Sequence, residues 1–284
     1  NPTIKIVLMS ATIHTALYEE YFGPATNQGR LYGTLECLSV GARRFPVNIV
    51  HLEDLLSSGD KKKKMGDEGI VSLPQAKLGL VRKLVDALEK CKGNYDEDIK
   101  PEVAKLQYGI AEALVMSQVN RGTGVLIFVS GINDITEMMT LFDSNDDYIL
   151  VAIHSDVPYE EQKVAMEATP DDKIKVIIAT NAAESSITVP DCDTVICLGT
   201  HKALKYNAKT HRVALVNSWV SQASSTQRAG RTGRVRPGKV FRLYTADLFK
   251  GFDEHEPCEV QRVPGQDLIL QLRTMFEELS LIHI

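Results

Sequence analysis

The stretch Ile174-Lys175-Val176-Ile177-Ile178-Ala179-Thr180-Asn181-Ala182-Ala183-Glu184 decides how this chain folds. Six residues of largely apolar, β-branched character stop abruptly at a hydroxyl and an amide. A short apolar run without alternation suits a strand buried on both faces, as parallel sheets require. The polar turn behind it would lie outside the carboxyl end of a strand, where open α/β sheets gather ligands.

Working outward, similar runs bounded by turn residues predict strands at Ile4–Met9, Val47–Leu52, Val125–Val129, Tyr148–Ile153, Thr194–Leu198 and Val240–Tyr244. Helical patterns fall between them. Behind Pro74, the residues Leu78, Val81, Leu84, Val85 and Leu88 keep three-and-four spacing through Glu89. Further helices are predicted at Val103–Val119, Asp134–Phe142, Tyr159–Glu167, Ser221–Arg228 and Gly265–Leu279. Strands alternating with helices predict an α/β fold with a mostly parallel sheet covered on both faces. Lys202–Asn207 and His211–Asn217 break the pattern, because two short segments flank a turn and read as an inserted β-hairpin. Residues 57–73, with the run Lys61–Lys64, read as a solvated loop.

The 284 residues fit one large domain or two modest ones, and 44% hydrophobic with 24% charged residues is a globular composition. No run approaches the ~18 apolar residues of a membrane span, so no membrane partner is expected. The start, Asn1-Pro2-Thr3-Ile4, has neither an initiator methionine nor a signal-peptide core, and it reads as a cut through a longer protein. Five scattered cysteines (37, 91, 192, 197 and 258) read as reduced, mostly buried thiols, which predicts an intracellular protein of the nucleus or cytoplasm. The net charge is −5, yet residues 194–246 hold ten Lys or Arg and no Asp or Glu, which leaves −15 on the remainder. An acid-free stretch inside an acidic protein points to phosphate-bearing partners.

Within that stretch stands Gln227-Arg228-Ala229-Gly230-Arg231-Thr232-Gly233-Arg234. The glycines allow close turns, and arginines at three-residue spacing can fork onto phosphate oxygens as ammonium groups cannot. Beside a transferring γ-phosphoryl such an arginine is worth roughly 10³–10⁵ in rate.

These eight residues resemble motif VI of the DEAH/RHA branch of superfamily 2 RNA helicases. Ser10-Ala11-Thr12 is similar to that family's motif III, Leu126–Gly131 to motif IV and Ala179–Thr188 to motif V. His154-Ser155 with Pro158 and Gln162 resembles the short block between motifs IV and V. Phe45-Pro46-Val47 resembles the crossover between the two motor domains, while Pro237–Lys239, Tyr244-Thr245 and Glu259–Arg262 resemble segments after motif VI. The resemblance implies a RecA-like fold, with 1–44 a remnant of the first RecA-like domain and its linker. Residues 45–250 would form the second such domain, with a variable insert near 57–100, and 251–284 a connector.

It further implies ATP as cofactor, single-stranded or duplex RNA as partner, and activator proteins besides. Arg231 and Arg234 would be arginine fingers, with Gln227 positioning water or the γ-phosphate. Ser186, Thr188, Gly230 and Asp191 would lie at the nucleotide, and Ser10 and Thr12 would connect nucleotide state to domain position. Thr180, Asn181, Ser130, Gly131, Lys205, Lys209 and Arg212 would contact RNA. Tyr206 and Trp219 read as packing aromatics, with base stacking as the alternative.

Several features depart from the family pattern. No Gly-x-x-x-x-Gly-Lys-Ser/Thr loop occurs, and no acidic box precedes motif III, so the Mg²⁺ ligands are expected outside this chain. Asp253-Glu254-His255-Glu256 imitates that box but reads as a surface turn. Ala165 and Met166 stand where many relatives carry a base-stacking aromatic, and Pro190 stands where many carry an acid. A degenerate, ATPase-free scaffold for RNA or protein is therefore the second reading, and DNA an alternative polymer.

Overall fold

The computed structural model describes residues 7–9, 18, 38, 45–57, 73–95, 98–185, 189–207, 210, 212–257 and 265–275. The chain divides into two compact units, Asn1–Arg44 and Phe45–Ile284. In the first, Val7–Met9 end the expected strand Ile4–Met9 and are not in a strand, with Val7 and Met9 exposed.

The second unit is built on six parallel strands. They are β1 (Val47–His51), β2 (Thr123–Phe128), β3 (Tyr148–Ile153), β4 (Ile174–Ala179), β5 (Cys192–Cys197) and β8 (Gly238–Arg242), in the order β1-β8-β5-β2-β4-β3. Every residue of β2 and β4 is buried, as their largely apolar runs require, including Thr123 and Lys175. Alternation sorts the side chains between two cores. Val125, Ile127, Val176, Ile178 and Ile196 face one, while Leu126, Phe128, Ile177, Val195 and Val240 face the other.

Helices α1 (Asp54–Ser57), α2 (Gln75–Glu89), α3 (Pro101–Gln118) and α4 (Ile132–Phe142) cover the first face. On the second lie α5 (Tyr159–Lys163) with its 3-10 extension Val164–Met166, and α6 (Gln222–Ala229). Among the described residues, α7 (Ala246–Lys250) and α8 (Gln266–Met275) follow the last strand. The local chemistry is ordinary: Pro101 opens α3, Ser221 caps α6 by accepting from the Ser224 amide, and Thr245 caps α7 likewise. Gln107 inside α3 is fully buried and donates to the carbonyls of Leu198 and Leu243, fastening α3 to the chain leaving β5 and β8.

The hairpin is β6 (Thr200–Asn207) with β7 (Arg212–Trp219), antiparallel from Thr200↔Trp219 to Asn207↔Arg212. It begins at Gly199, whose φ of +82° suits glycine and where a Cβ would meet the Tyr244 ring at 2.5 Å. The 253–256 stretch is mostly exposed, as expected, but its backbone has a task. The carbonyls of Asp253 and Glu254 accept from the Gln222 and Ala223 amides at the start of α6. The loop Lys61–Lys64 and the segment Glu259–Arg262 lie outside the described residues.

Candidate functional site

The carboxyl edge of the sheet carries Ser130 and Gly131 after β2 and Thr180 and Asn181 after β4. Their side chains do not all face outward. Thr180 is 4% exposed and Ser130 8%, and the Ser130 hydroxyl shares a 2.7 Å hydrogen bond with that of Thr200. Asn181 alone of the four presents an exposed side chain. The Thr180 amide donates to Ile153, and its carbonyl accepts from Ala183, which fixes the turn. Asp134 accepts from the Ser130 and Gly131 amides and from the Tyr108 hydroxyl, anchoring the start of α4. A Cβ on Gly131 would approach the Lys202 stem at 3.2 Å, so the hairpin base packs on this turn.

On the hairpin, Lys202, Leu204, Tyr206, Val213, Leu215 and Asn217 share one face, while Lys205 and Arg212 lie on the other. Arg212 is exposed and Lys205 half-buried, whereas Lys209 lies outside the described residues. Tyr206 is exposed. Trp219 is buried and stacks on Phe252 with ring centroids 5.4 Å apart, so it packs rather than meets a base.

The Gln227–Arg234 stretch runs across the sheet to its amino edge. There the Thr232 hydroxyl donates to the carbonyl of Cys192, the first residue of β5. Gly233 has a φ of +75°, and a Cβ there would collide with Val47, the first residue of β1. Gly230 ends α6 with its amide on the Thr226 carbonyl, and the Arg234 side chain donates to the Gly230 carbonyl at 3.4 Å. Arg231 and Arg234 are both half-buried. Burial and the neighbouring Arg234 charge lower the pKa of Arg231, against a pull from Glu184 and Cys192. Two guanidinium groups placed to repel one another fit a compact polyanion, which would relieve that repulsion. Gln227 is half-buried one turn before Arg231. Ser10, Thr12, Ser186 and Thr188 lie outside the described residues.

Asp191 also sits at the amino edge, immediately before β5, but its carboxylate turns inward. It accepts from the Thr169 amide at 2.6 Å and from the Thr169 hydroxyl, and it pairs with the buried Lys175 at 3.4 Å. Burial opposes ionisation, yet the Thr169 hydrogen bonds and the Lys175 charge prevail and hold the carboxyl below its ordinary range. Lys175 donates as well to the Glu167 carbonyl. The residue expected at the nucleotide thus ties the starts of β4 and β5 together.

Arg228, which the sequence groups with Arg231 and Arg234 as a phosphate-facing arginine, is the least accessible residue of the stretch. Its side chain is fully buried and donates to Glu184 at 2.7 Å and to the Thr200 carbonyl at 3.1 Å. Its guanidinium carbon lies 5.0 Å from the centre of the Phe128 ring. Burial works against its charge, but the Cys197 sulfur and the Glu184 carboxylate more than offset this and raise its pKa. Removing one partner of such a pair costs about 3–5 kcal/mol. No spacing rule joins residues 184 and 228. Of the expected thiols, Cys192 and Cys197 are buried, and burial pushes Cys192 up to about 12. Among the described residues no helix is long and apolar enough to cross a membrane.

The fold is thus a RecA-like α/β domain with an inserted hairpin. It resembles two solved structures of the DExH-box, DEAH/RHA helicase HrpB from Escherichia coli. One superimposes with a TM-score of 0.60 at 20% identity over 83% of this chain and 24% of that one, the other with 0.58 over 82% and 24%. Residues 106–236 match the helicase conserved C-terminal domain family. Relatives include the DExH-box ATP-dependent RNA helicase DExH1 of Arabidopsis thaliana, 26% identical across 96% of this chain and 29% of that protein. The human ATP-dependent RNA helicase DHX29 is 28% identical across 95% and 22%, and its Xenopus laevis counterpart 30% across 95% and 22%. The chain carries a helicase C-terminal domain of the DExH/DEAH-box type, which bears out the resemblance to the DEAH/RHA branch. It spans about a quarter of the length of these relatives.

Proposed function

We propose that this chain is the second half of the motor of an ATP-dependent RNA helicase, supplying arginines to a shared ATP site and backbone contacts to RNA. The carrying observation is the separation of two polar surfaces by the length of the strands, with Asn181 and the hairpin at one edge and Arg231 and Arg234 at the other. The arginines stabilise charge growing on the γ-phosphoryl, and Gln227 orients water or that phosphoryl. Ser186, Thr188 and Gly230 line the nucleotide side, while Ser10 and Thr12 report nucleotide state to the domain pair. Mg²⁺ would neutralise phosphate charge from ligands on the partner domain. At the opposite edge Thr180, Asn181, Ser130 and Gly131 hold the RNA backbone, chiefly through main-chain amides and the Asn181 amide, with Lys205, Lys209 and Arg212 adding charge.

An arginine donor without a phosphate-cradling loop completes no ATP site. The purified 284-residue chain therefore shows no ATP turnover alone, while a first motor domain added in the same polypeptide confers RNA-stimulated turnover. Robust turnover by the chain alone, abolished by Arg234→Ala, would overturn the shared-site reading. RNA binding without turnover in the two-domain protein would leave the scaffold reading standing.

A further inference from the structure

Arg228 has no part in that proposal, yet it is buried more completely than any other arginine of its stretch. Its contacts lie on elements far apart in sequence. Glu184 follows the turn after β4, Thr200 opens the hairpin, Phe128 ends β2, and Arg228 itself lies on α6 one turn before Arg231. Two of these contacts are themselves tied down. Glu184 also accepts from the Ser224 hydroxyl on α6 at 2.8 Å, and the Thr200 hydroxyl is bonded to Ser130. The turn after β2, the turn after β4, the hairpin base and α6 therefore converge on one guanidinium. Arginine suits the position because a rigid planar fork reaches two acceptors while its face lies on a ring. A lysine could hold the charge, but its compact ammonium has neither the planar fork nor a flat face to lie on the ring.

We propose that Arg228 is a positioning residue that locks the hairpin base to α6, so that a displacement at one edge of the sheet is felt at the other. The assignment of RNA and nucleotide to those edges rests on the function proposed above, whereas the lock itself does not. A buried ion pair serving stability alone would, when broken, loosen the whole domain evenly. A lock would loosen the joined elements first, because local opening has its own free energy.

The test is backbone amide hydrogen exchange on the 284-residue chain, native and with Arg228→Lys or Glu184→Gln. The first variant keeps the charge and loses the fork; the second keeps the shape and loses the charge. Amides of Lys202–Tyr206 and Val213–Asn217 should exchange about tenfold faster, while those of β2 and β4 change by less than about threefold. Even acceleration everywhere, or an unchanged hairpin, would overturn the proposal. A uridine dodecamer supplies a second measurement. Its binding should slow exchange at Arg231–Arg234 in the native chain and leave that loop unchanged in Arg228→Lys. Equal slowing in both would also overturn the lock. Failure of the dodecamer to bind either protein would count against the RNA reading, and the first measurement alone would then decide the lock.

Discussion

The two ends of the sheet solve different recognition problems with different materials. At the carboxyl edge the hydroxyls of Ser130 and Thr180 are turned inward, so the turns offer backbone and a single exposed amide, Asn181. Cationic charge comes from the hairpin, with Lys202 at its base against the Gly131 turn and Lys205 and Arg212 further along. At the amino edge two guanidinium groups lie close enough to perturb one another, with Gly233 letting the chain turn against β1. Under the proposed function, spread, shallow contacts would suit a long polymer with one charge per unit, and a pair of guanidinium forks a compact polyphosphate. The two edges are joined by α6, which leaves the hairpin base at the carboxyl edge and ends beside Arg231 at the other.

The strongest way to break this contrast is Arg234→Ala in the two-domain protein. Turnover should fall by roughly 10³-fold, while nucleotide-free RNA affinity stays near native. Loss of RNA affinity with turnover intact would reverse the assignment of the edges.

A smaller effect sharpens the standing of Asp191. If its carboxylate serves Lys175 and Thr169, Asp191→Ala leaves a buried ammonium uncompensated and costs about 3–5 kcal/mol in urea unfolding. Because its folded-state pKa is depressed, the stabilisation is present at neutral pH and is lost as pH falls below about 4. The Asp191→Ala chain should therefore lose less stability than the native one over that acid range. An unchanged urea midpoint would return Asp191 to the nucleotide.

The smallest effect concerns the hairpin. Replacing Lys205, Lys209 and Arg212 together should flatten the salt dependence of single-stranded RNA affinity by about 2, near 0.7 for each phosphate that a side chain no longer neutralises. An unchanged slope would make these side chains a solvated face and confine RNA to the turns.

Much of this was legible in the sequence, for reasons that differ by element. Strands β2 and β4 announce themselves because burial on both faces demands a largely apolar run, and the structure places them within two residues of expectation. The hairpin was legible because its two segments interrupt an otherwise regular alternation. Short α1 and α7 were not, since a single turn leaves no periodicity to read. The arginine-rich stretch reads as phosphate chemistry, but its spacing treats Arg228, Arg231 and Arg234 alike. Only packing separates the buried one from the half-buried two. Asp191 has inward partners that its place in the sequence does not announce. Its place beside the strand turn fits a ligand contact, and its partner Lys175 lies 16 positions away as the one charged residue of an otherwise apolar strand. Gln107 reads as an ordinary polar position of an amphipathic helix, although it is fully buried.

The strand order carries a consequence for how the protein is made. Strands β2 to β5 pair among themselves within residues 123–197, so four of the six can assemble as soon as that stretch has left the ribosome. Val47 pairs with Gly238, 191 positions later, and β1 has no other partner in the sheet. During synthesis the segment around Val47–His51 must therefore wait, unpaired, through most of the chain, and β8 is the piece that releases it. Closing so wide a loop is slow compared with the local pairings, which makes docking of β1 on β8 the late step of folding. The crossover residues Phe45 and Pro46, directly ahead of β1, gain their fixed position only then, with the Gly238 amide closing on the Pro46 carbonyl. A growing polypeptide thus assembles four neighbouring strands of its sheet before the segment leading into β1 is fixed.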